Sequence, residues 1–479
     1  MLKFFNTLSK KQEEFKTLEE GKVKMYVCGP TVYDKAHLGH ARCYITWDVL
    51  YRYLKFKGYD VTYCRNVTDI DDKILKKADT AGVLPEVVTK EFYQSFIDSM
   101  NALNVLKPDI EPRATKTIGE MIAITKKLVD DGFAYPVDGD VYFEVGKYKD
   151  YGKLSGQPID DLMAGARVEA DNKKKSPLDF ALWKKDEKHG LKSPWGVGRP
   201  GWHIECSAMS KKHLGETIDI HAGGADLQFP HHENERAQSE CANGCQFVKY
   251  WLHNGFVTIN KEKMSKSLGN FLTIDDVLKS YNSNAIRFFI LTNHYRMPVE
   301  FNEEALNAAN NGAKRLINSV KDFDLEVLRA EIKSENFDTK ALNSFIEAMD
   351  DDLNTSKALA VLFSLVDKLK KAGAEGTLDV KKITATIVFL GETLGFDFTL
   401  KDKPELSLED LKAKILPLYE EFGFENSIEP KALLDKLIED RNLARANKDW
   451  AKSDLIRDKL LAAGILLKDS KDGTIWEVK

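Results

Sequence analysis

Residues 23–28, VKMYVC, are almost continuously apolar and β-prone, and they stop at Gly29-Pro30. That is the pattern of a buried strand. After a short loop the period changes. Residues 38–57 carry apolar side chains at helical spacing, among them Ile45, Val49, Leu50 and Leu54, and Gly58 is suited to end a helix. Residues 60–64, DVTYC, return to a strand pattern. Strand, helix and strand in such short succession predict a βαβ unit, and with it a parallel sheet.

Further along, residues 141–200 become rich in lysine, glycine and proline, with a lysine run at 173–175, and read as an insertion into the first fold. Motif-dense sequence resumes between Gly201 and Asn270. From about Asn302 the pattern is helical, with apolar positions at spacings of three and four over 305–320 and 357–371. The polar stretch 401–412, containing KDKPELS, predicts a linker. Residues 430–479 predict two helices and a short strand-like tail ending in Thr474-Ile475-Trp476. There is no internal repeat and no long low-complexity tract.

A chain of 479 residues is too long for one compact core, so several domains are expected. Its formal net charge is only -5, and a nucleic-acid partner would need local basic surfaces. The first fifteen residues are amphipathic and lysine-rich, without an apolar stretch and small-residue cleavage site, and no segment is long and apolar enough to span a bilayer. The expectation is a cytoplasmic protein with no membrane partner. The six cysteines, at 28, 43, 64, 206, 241 and 245, are too few and scattered for a disulfide scaffold, which turns attention to metal binding.

Three features carry chemistry. His37-Leu38-Gly39-His40 opens the predicted helix, where unpaired N–H groups and partial positive charge suit a phosphate, and two imidazoles could donate to it. Lys263-Met264-Ser265-Lys266-Ser267 sets two lysines around small hydroxyl residues, as an ordinary basic loop or a triphosphate clamp would. No GxxxxGK[ST] phosphate loop is present, and the GxGxxG match at 196–201 contains a proline and lacks a βαβ setting, so it is rejected as a dinucleotide site. Lastly, Cys28 ends the first strand, Cys206 lies in GWHIECSAM, and His231 and Glu235 stand four apart in FPHHENERAQSE. All four are plausible zinc ligands. Composition alone leaves His232 and Glu233 open as alternatives.

The chain resembles the cysteinyl-tRNA synthetases, a family of class I aminoacyl-tRNA synthetases, through YVCGPTVYDKAHLGHAR, NVTDIDDK, GWHIECSAM, HAGGADLQFPHHENE, WLHNGFV and KMSKSLGN. The resemblance implies an α/β fold: a Rossmann-like parallel-sheet catalytic domain in two halves (1–115 and 201–250) around a connective insertion (116–200). A stem-contact region with the KMSKS loop (251–305), a helical bundle (306–400) and a small C-terminal anticodon-binding domain (405–479) would follow. It implies ATP-dependent activation of L-cysteine and transfer to tRNA(Cys). His37, His40, Lys263 and Lys266 would be catalytic. His37, His40, Gly224, Asp226 and Lys266 would hold ATP with Mg2+, and Thr68 and Trp202 would line the amino-acid pocket. One zinc per chain would sit on Cys28, Cys206, His231 and Glu235, and Arg445, Trp450 and Asp454 would meet tRNA.

The resemblance gives the zinc a purpose. Cysteine and serine differ by one atom, and a plain pocket separates such near-isosteres only about a hundredfold. Zinc favours a thiolate over a hydroxyl. The enzyme is expected to act as a monomer. Asp69, Asp71 and Asp72 form an acidic cluster suited to a helix N-terminus or to substrate. Cys241 and Cys245 are expected to pack near a helix end, and Cys43 and Cys64 in the core. A ligase joining cysteine to an amino sugar would share the zinc site and both signatures, but the long helical C-terminal half favours tRNA.

Overall fold

A computed structural model describes residues 1–156, 173–259, 262–263, 271–334, 336–375, 379–400, 408–425, 428–470 and 473–478. They form two compact units, Met1–Thr399 and Leu400–Lys479.

The first unit opens with a hairpin, β1 (Lys3–Asn6) and β2 (Lys11–Glu14), that the periodicity did not reveal. The predicted βαβ unit follows as β3 (Lys22–Val27), α1 (Leu38–Phe56) and β4 (Asp60–Arg65), with β3 and β4 parallel from Lys22↔Asp60 to Val27↔Arg65. Helix α1 buries Ile45, Val49, Leu50 and Leu54, as read from the sequence, and Tyr44 with them. Helices α2 (Asp72–Ala81), α3 (Pro85–Ala102) and α4 (Ile118–Asp130) come next. Asp71 caps α2 by accepting from Lys73 N, so the acidic cluster is in part a helix-start pattern.

Between Ala134 and Pro200 the insertion holds a five-stranded antiparallel sheet: β5 (Ala134–Val137), β6 (Asp140–Phe143), β7 (Phe180–Lys185), β8 (Leu191–Ser193) and β9 (Gly196–Pro200). The GxGxxG match falls on β9, a strand in an antiparallel sheet, which is no dinucleotide turn. Then α5 (Trp202–Leu214), β10 (Ile218–Gly224), α6 (Glu233–Asn243) and β11 (Val248–Asn254) return to the parallel sheet, whose order is β11-β10-β3-β4.

A three-stranded sheet of β12 (Val257–Ile259), β13 (Glu262–Lys263) and β14 (Val299–Phe301) adjoins helices. The helical stretches read at 305–320 and 357–371 are Glu303–Asn318 and Thr355–Glu375. These helices and the sheet share one apolar core, running from Met25 and Leu50 to Phe345 and Leu390. The second unit has its own core of Leu411, Ile415, Leu433, Leu437, Ile456 and Leu460. Residues 401–407 of the predicted linker lie outside the described residues, and from Leu408 the chain is helical, so the linker reading fails there. The tail is a hairpin of Ile465–Ser470 with Gly473–Val478; only its second strand was read from the sequence.

Candidate active site

Strand β3 has β4 on one flank and β10 on the other, so the chain order reverses there. In open α/β sheets, ligands bind beyond the C-terminal strand ends at such a switch point. The strand ends are Val27-Cys28 and Gly224, and there the structure has a cavity of ≈ 340 Å³. Cys28, His37, His40, Trp202, Gly224 and Asp226 all line it. The turn after β3 needs its glycine. A Cβ on Gly29 would stand 1.5 Å from the Asn66 carbonyl oxygen, and Gly29 N donates to Asn66 Oδ1 at 2.7 Å.

The helix start is built from the two histidines. His37 is the N-cap of α1 and its Nδ1 accepts from Gly39 N at 3.0 Å, while His40 Nδ1 accepts from His37 N at 3.2 Å. This is a capping box with imidazoles in place of hydroxyl and carboxylate. With Nδ1 an acceptor in both rings, a neutral imidazole carries its proton on Nε2. The rings are 3.9 Å apart at the positive end of a 19-residue helix, and α1 thus offers paired N–H donors to an anion.

The cysteines converge as the sequence suggested. Cys28 Sγ lies 3.9 Å from Cys206 Sγ and 3.5 Å from Glu235 Oε1, and His231 Nε2 lies 3.0 Å from the same carboxylate oxygen. All four side chains are buried, with donor atoms within 4.8 Å of one another. A zinc tetrahedron with bonds of about 2.0–2.3 Å has edges of about 3.3–3.8 Å, so this donor set fits the ion. A second set shares Cys28 and Glu235 but uses His221 and His232. His232 Nε2 is 3.2 Å from Cys28 Sγ, and its Nδ1 is 2.8 Å from His253, which reaches Thr7 Oγ1 at 2.8 Å. The first set has both sulfurs and is the softer, which suits zinc. Glu233 points elsewhere, accepting from Ser155 N.

The electrostatics favour an ionised Cys206 and an ionised Glu235. Cys28, a donor to Cys206, brings the Cys206 thiol down to about 6 against the cost of burial, with His231 helping. Burial pushes the Cys28 thiol well up, so the pair readily gives up one proton. Burial opposes charge on His231, yet Glu235 and Cys206 outweigh it and raise the imidazole to about 10. Burial likewise opposes ionisation of Glu235, but His221 and His231 hold its carboxyl well below the usual range. A cation at the centre would replace the proton shared by these groups.

Trp202, at the first turn of α5, is 39% exposed and its ring sits 4.1 Å from His231. Thr68 is buried behind the cavity and does not line it; its hydroxyl donates to Glu205 Oε2 at 2.7 Å. Burial pushes the Glu205 carboxyl well up, with Thr68 pulling the other way. Lys263 lies in β13. Lys266 lies outside the described residues, but the chain on either side flanks the cavity: Val257 of β12 lines it, and Leu38 N donates to Leu272 O at 3.2 Å. In the second unit, Arg445 lies in the last turn of the helix Pro430–Ala446, Trp450 opens Trp450–Ala462 at 60% exposure, and Asp454 pairs with Arg457 at 2.8 Å.

Sequence reasoning missed His203, His221 and His253, each a lone histidine in an apolar run. His221 Nε2 meets Glu235 Oε2 at 2.8 Å, and His203 Nδ1 meets His231 Nδ1 at 2.9 Å. Cys64 is core as expected, but Cys43 lines the cavity and Cys245 is exposed.

A family model for the class I (C) tRNA synthetase catalytic domain matches residues 14–311, and a DALR domain model matches 344–399. The cysteine–tRNA ligase of Geobacter sulfurreducens is 48% identical over 493 residues, covering 100% of both chains. That of Haemophilus influenzae strain 86-028NP is 48% identical, covering 99% of both. The chain belongs to the cysteine–tRNA ligase family. Among solved structures, the fold of this ligase-family chain is shared with Mycobacterium tuberculosis methionyl-tRNA synthetase (16% identity, TM-score 0.57, 78% and 89% coverage) and Agrobacterium radiobacter LeuRS (12%, 0.58, 80% and 84%). The DALR match lies inside the stretch read as a helical bundle, ahead of residues 405–479.

Proposed function

We propose that the protein activates L-cysteine with Mg-ATP and loads it onto the 3′ end of tRNA(Cys). The observation that carries this reading is one cavity with two unlike walls: the imidazole-capped start of α1, and Cys28 leading into the buried Cys206, His231 and Glu235 cluster. The first wall suits a triphosphate, and the second a soft metal able to take a thiol.

In the first step the cysteine carboxylate attacks the α-phosphorus, the bond to the β-phosphate breaks, and pyrophosphate leaves. His37 and His40 donate through Nε2 to the phosphate oxygens, and Lys263 and Lys266 neutralise the charge that builds there. Gly224 and Asp226 hold the ribose, and Trp202 closes the amino-acid side. Thr68 stays behind that pocket, donating to the buried Glu205 that precedes Cys206. In the second step a terminal ribose hydroxyl of the tRNA attacks the acyl carbon, and AMP leaves. A zinc held by Cys28, Cys206, His231 and Glu235 supplies thiolate affinity, and so selection against serine. Arg445, Trp450 and Asp454 contact the tRNA.

The test is charging of purified tRNA(Cys) with cysteine and with serine, with zinc content measured on the same sample. Cysteine-specific charging and one zinc per chain are expected. Equal use of serine, or full activity without metal, would refute the zinc role.

A further inference from the structure

A second concavity, of ≈ 710 Å³, lies beside the catalytic cavity and has no part in the mechanism above. Lys90, Arg113 and Lys116 line it, and among the described residues none of the three is ion-paired. Two carboxylates share the wall, Glu86 and Asp69, and Asp69 is already engaged: Thr115 donates to it through N at 2.9 Å and Oγ1 at 2.7 Å. The local field is therefore positive in a chain whose net charge is -5. The same wall carries Leu75, Leu84, Pro85 and Tyr93. The Arg113 guanidinium lies 4.4 Å over the Tyr93 ring, and Leu84, 69% exposed, stands beside Leu75 and Pro85. Cations beside a planar guanidinium and exposed apolar side chains fit a ligand that carries both phosphates and bases.

Its place matters as much as its chemistry. Arg113 is bridged to Val67, next to Thr68, at the C-terminal edge of the parallel sheet. Lys73 of α2 lines the catalytic cavity and Leu75, two residues on, lines the groove. Two residues of helix span about 3 Å, so the first turn of α2 is the partition between the two.

Resting on the proposed tRNA-charging activity, we infer that this groove carries the single-stranded 3′ segment of the tRNA, with phosphates on Lys90 and Lys116 and a base against Arg113, and delivers the terminal nucleotide over α2.

The test uses the full chain with Lys90→Glu and Lys116→Glu together, and Arg113→Lys separately. Cysteine-dependent pyrophosphate exchange should match wild type for all of them. Charging efficiency of the double variant should fall roughly tenfold or more, mainly through the KM for tRNA. Its salt slope should be shallower by about 0.7 for each phosphate that the protein no longer neutralises. Binding is then measured with intact tRNA and with the same tRNA stripped of its unpaired 3′ nucleotides. Loss confined to the intact tRNA supports the groove. Wild-type charging by the double variant, or an equal loss with stripped tRNA, overturns it. Arg113→Lys keeps the charge but not the plane and should weaken only the intact tRNA; no effect removes the stacking role. Wild-type exchange reports separately on the activity itself, while the binding comparison judges the groove without it.

Discussion

At the scale of single residues, the site turns on atoms that have more than one partner. Cys206 is the clearest case, because its sulfur meets Cys28 and its charge is favoured by both Cys28 and His231. Replacing it by serine exchanges a soft donor for a hard, protonated one. Cys206→Ser should lose zinc and cysteine activation together, read by metal analysis and pyrophosphate exchange, with an unchanged far-UV circular dichroism spectrum as the control for folding. Full zinc content in that variant would sink the ligand assignment. Cys241→Ser should leave zinc untouched, since Cys241 is half-buried on α6 and belongs to neither donor set. Lys266 poses a different question. A charge that acts mainly as pyrophosphate departs lowers kcat rather than ground-state binding. Lys266→Ala should therefore slow adenylate formation at least a hundredfold, on the order of 3 kcal/mol, while the KM for cysteine changes little. Equal effects on binding and rate would mean that this lysine merely holds ATP.

At the scale of elements, what the sequence revealed was local. The β3–α1–β4 unit was legible because period two and period 3.6 are written in consecutive residues, and Cys28 and His37 were placed correctly by where those elements begin and end. The five-stranded insert was legible only as a change in composition, since its strands are short and joined by turns. His203, His221 and His253 were illegible for a related reason: their partners are 14 to 246 residues away in sequence, and nothing nearby marks them. Long-range polar contacts also tie α1 to the helix Ser283–Leu291. Asp48 of α1 accepts from Arg287 at 2.8 Å, from Arg52 at 2.9 Å and from Leu106 N at 2.9 Å, and both Asp48 and Arg287 are fully buried. Removing one partner of a buried ion pair leaves the other charge uncompensated, at a cost of about 3–5 kcal/mol. Asp48→Ala should lower stability by that order, measured by urea unfolding monitored through tryptophan fluorescence. An unchanged midpoint would show that the Leu103, Asn104 and Leu394 carbonyls, which also accept from Arg287, suffice alone.

At the scale of the whole molecule, the division at Thr399 separates two self-contained cores. The cavity at the switch point of the parallel sheet, the buried cysteine–histidine–glutamate cluster and the DALR match all lie in the first unit. The second unit presents Trp450 at 60% exposure, on a helix whose apolar side is filled by Ile456 and Leu460. A tryptophan left in water at the head of a helix, with Asp454 one turn on and Arg445 at the end of the preceding helix, offers a ring for stacking and polar groups for base edges. The plain alternative is a solvated helical hairpin with no ligand. The two differ in what truncation does. Deleting residues 405–479 should leave cysteine-dependent pyrophosphate exchange largely intact, because no group assigned to adenylate formation is removed. Charging of tRNA(Cys) should fall steeply. Trp450→Ala should reproduce part of that fall, as a raised KM for tRNA, since stacking on one aromatic ring contributes roughly 1–3 kcal/mol per base. If the truncated protein stays folded, keeps its zinc and charges tRNA at the full rate, the second unit does not read the anticodon, and recognition has to come from the DALR segment and the surfaces of the first unit.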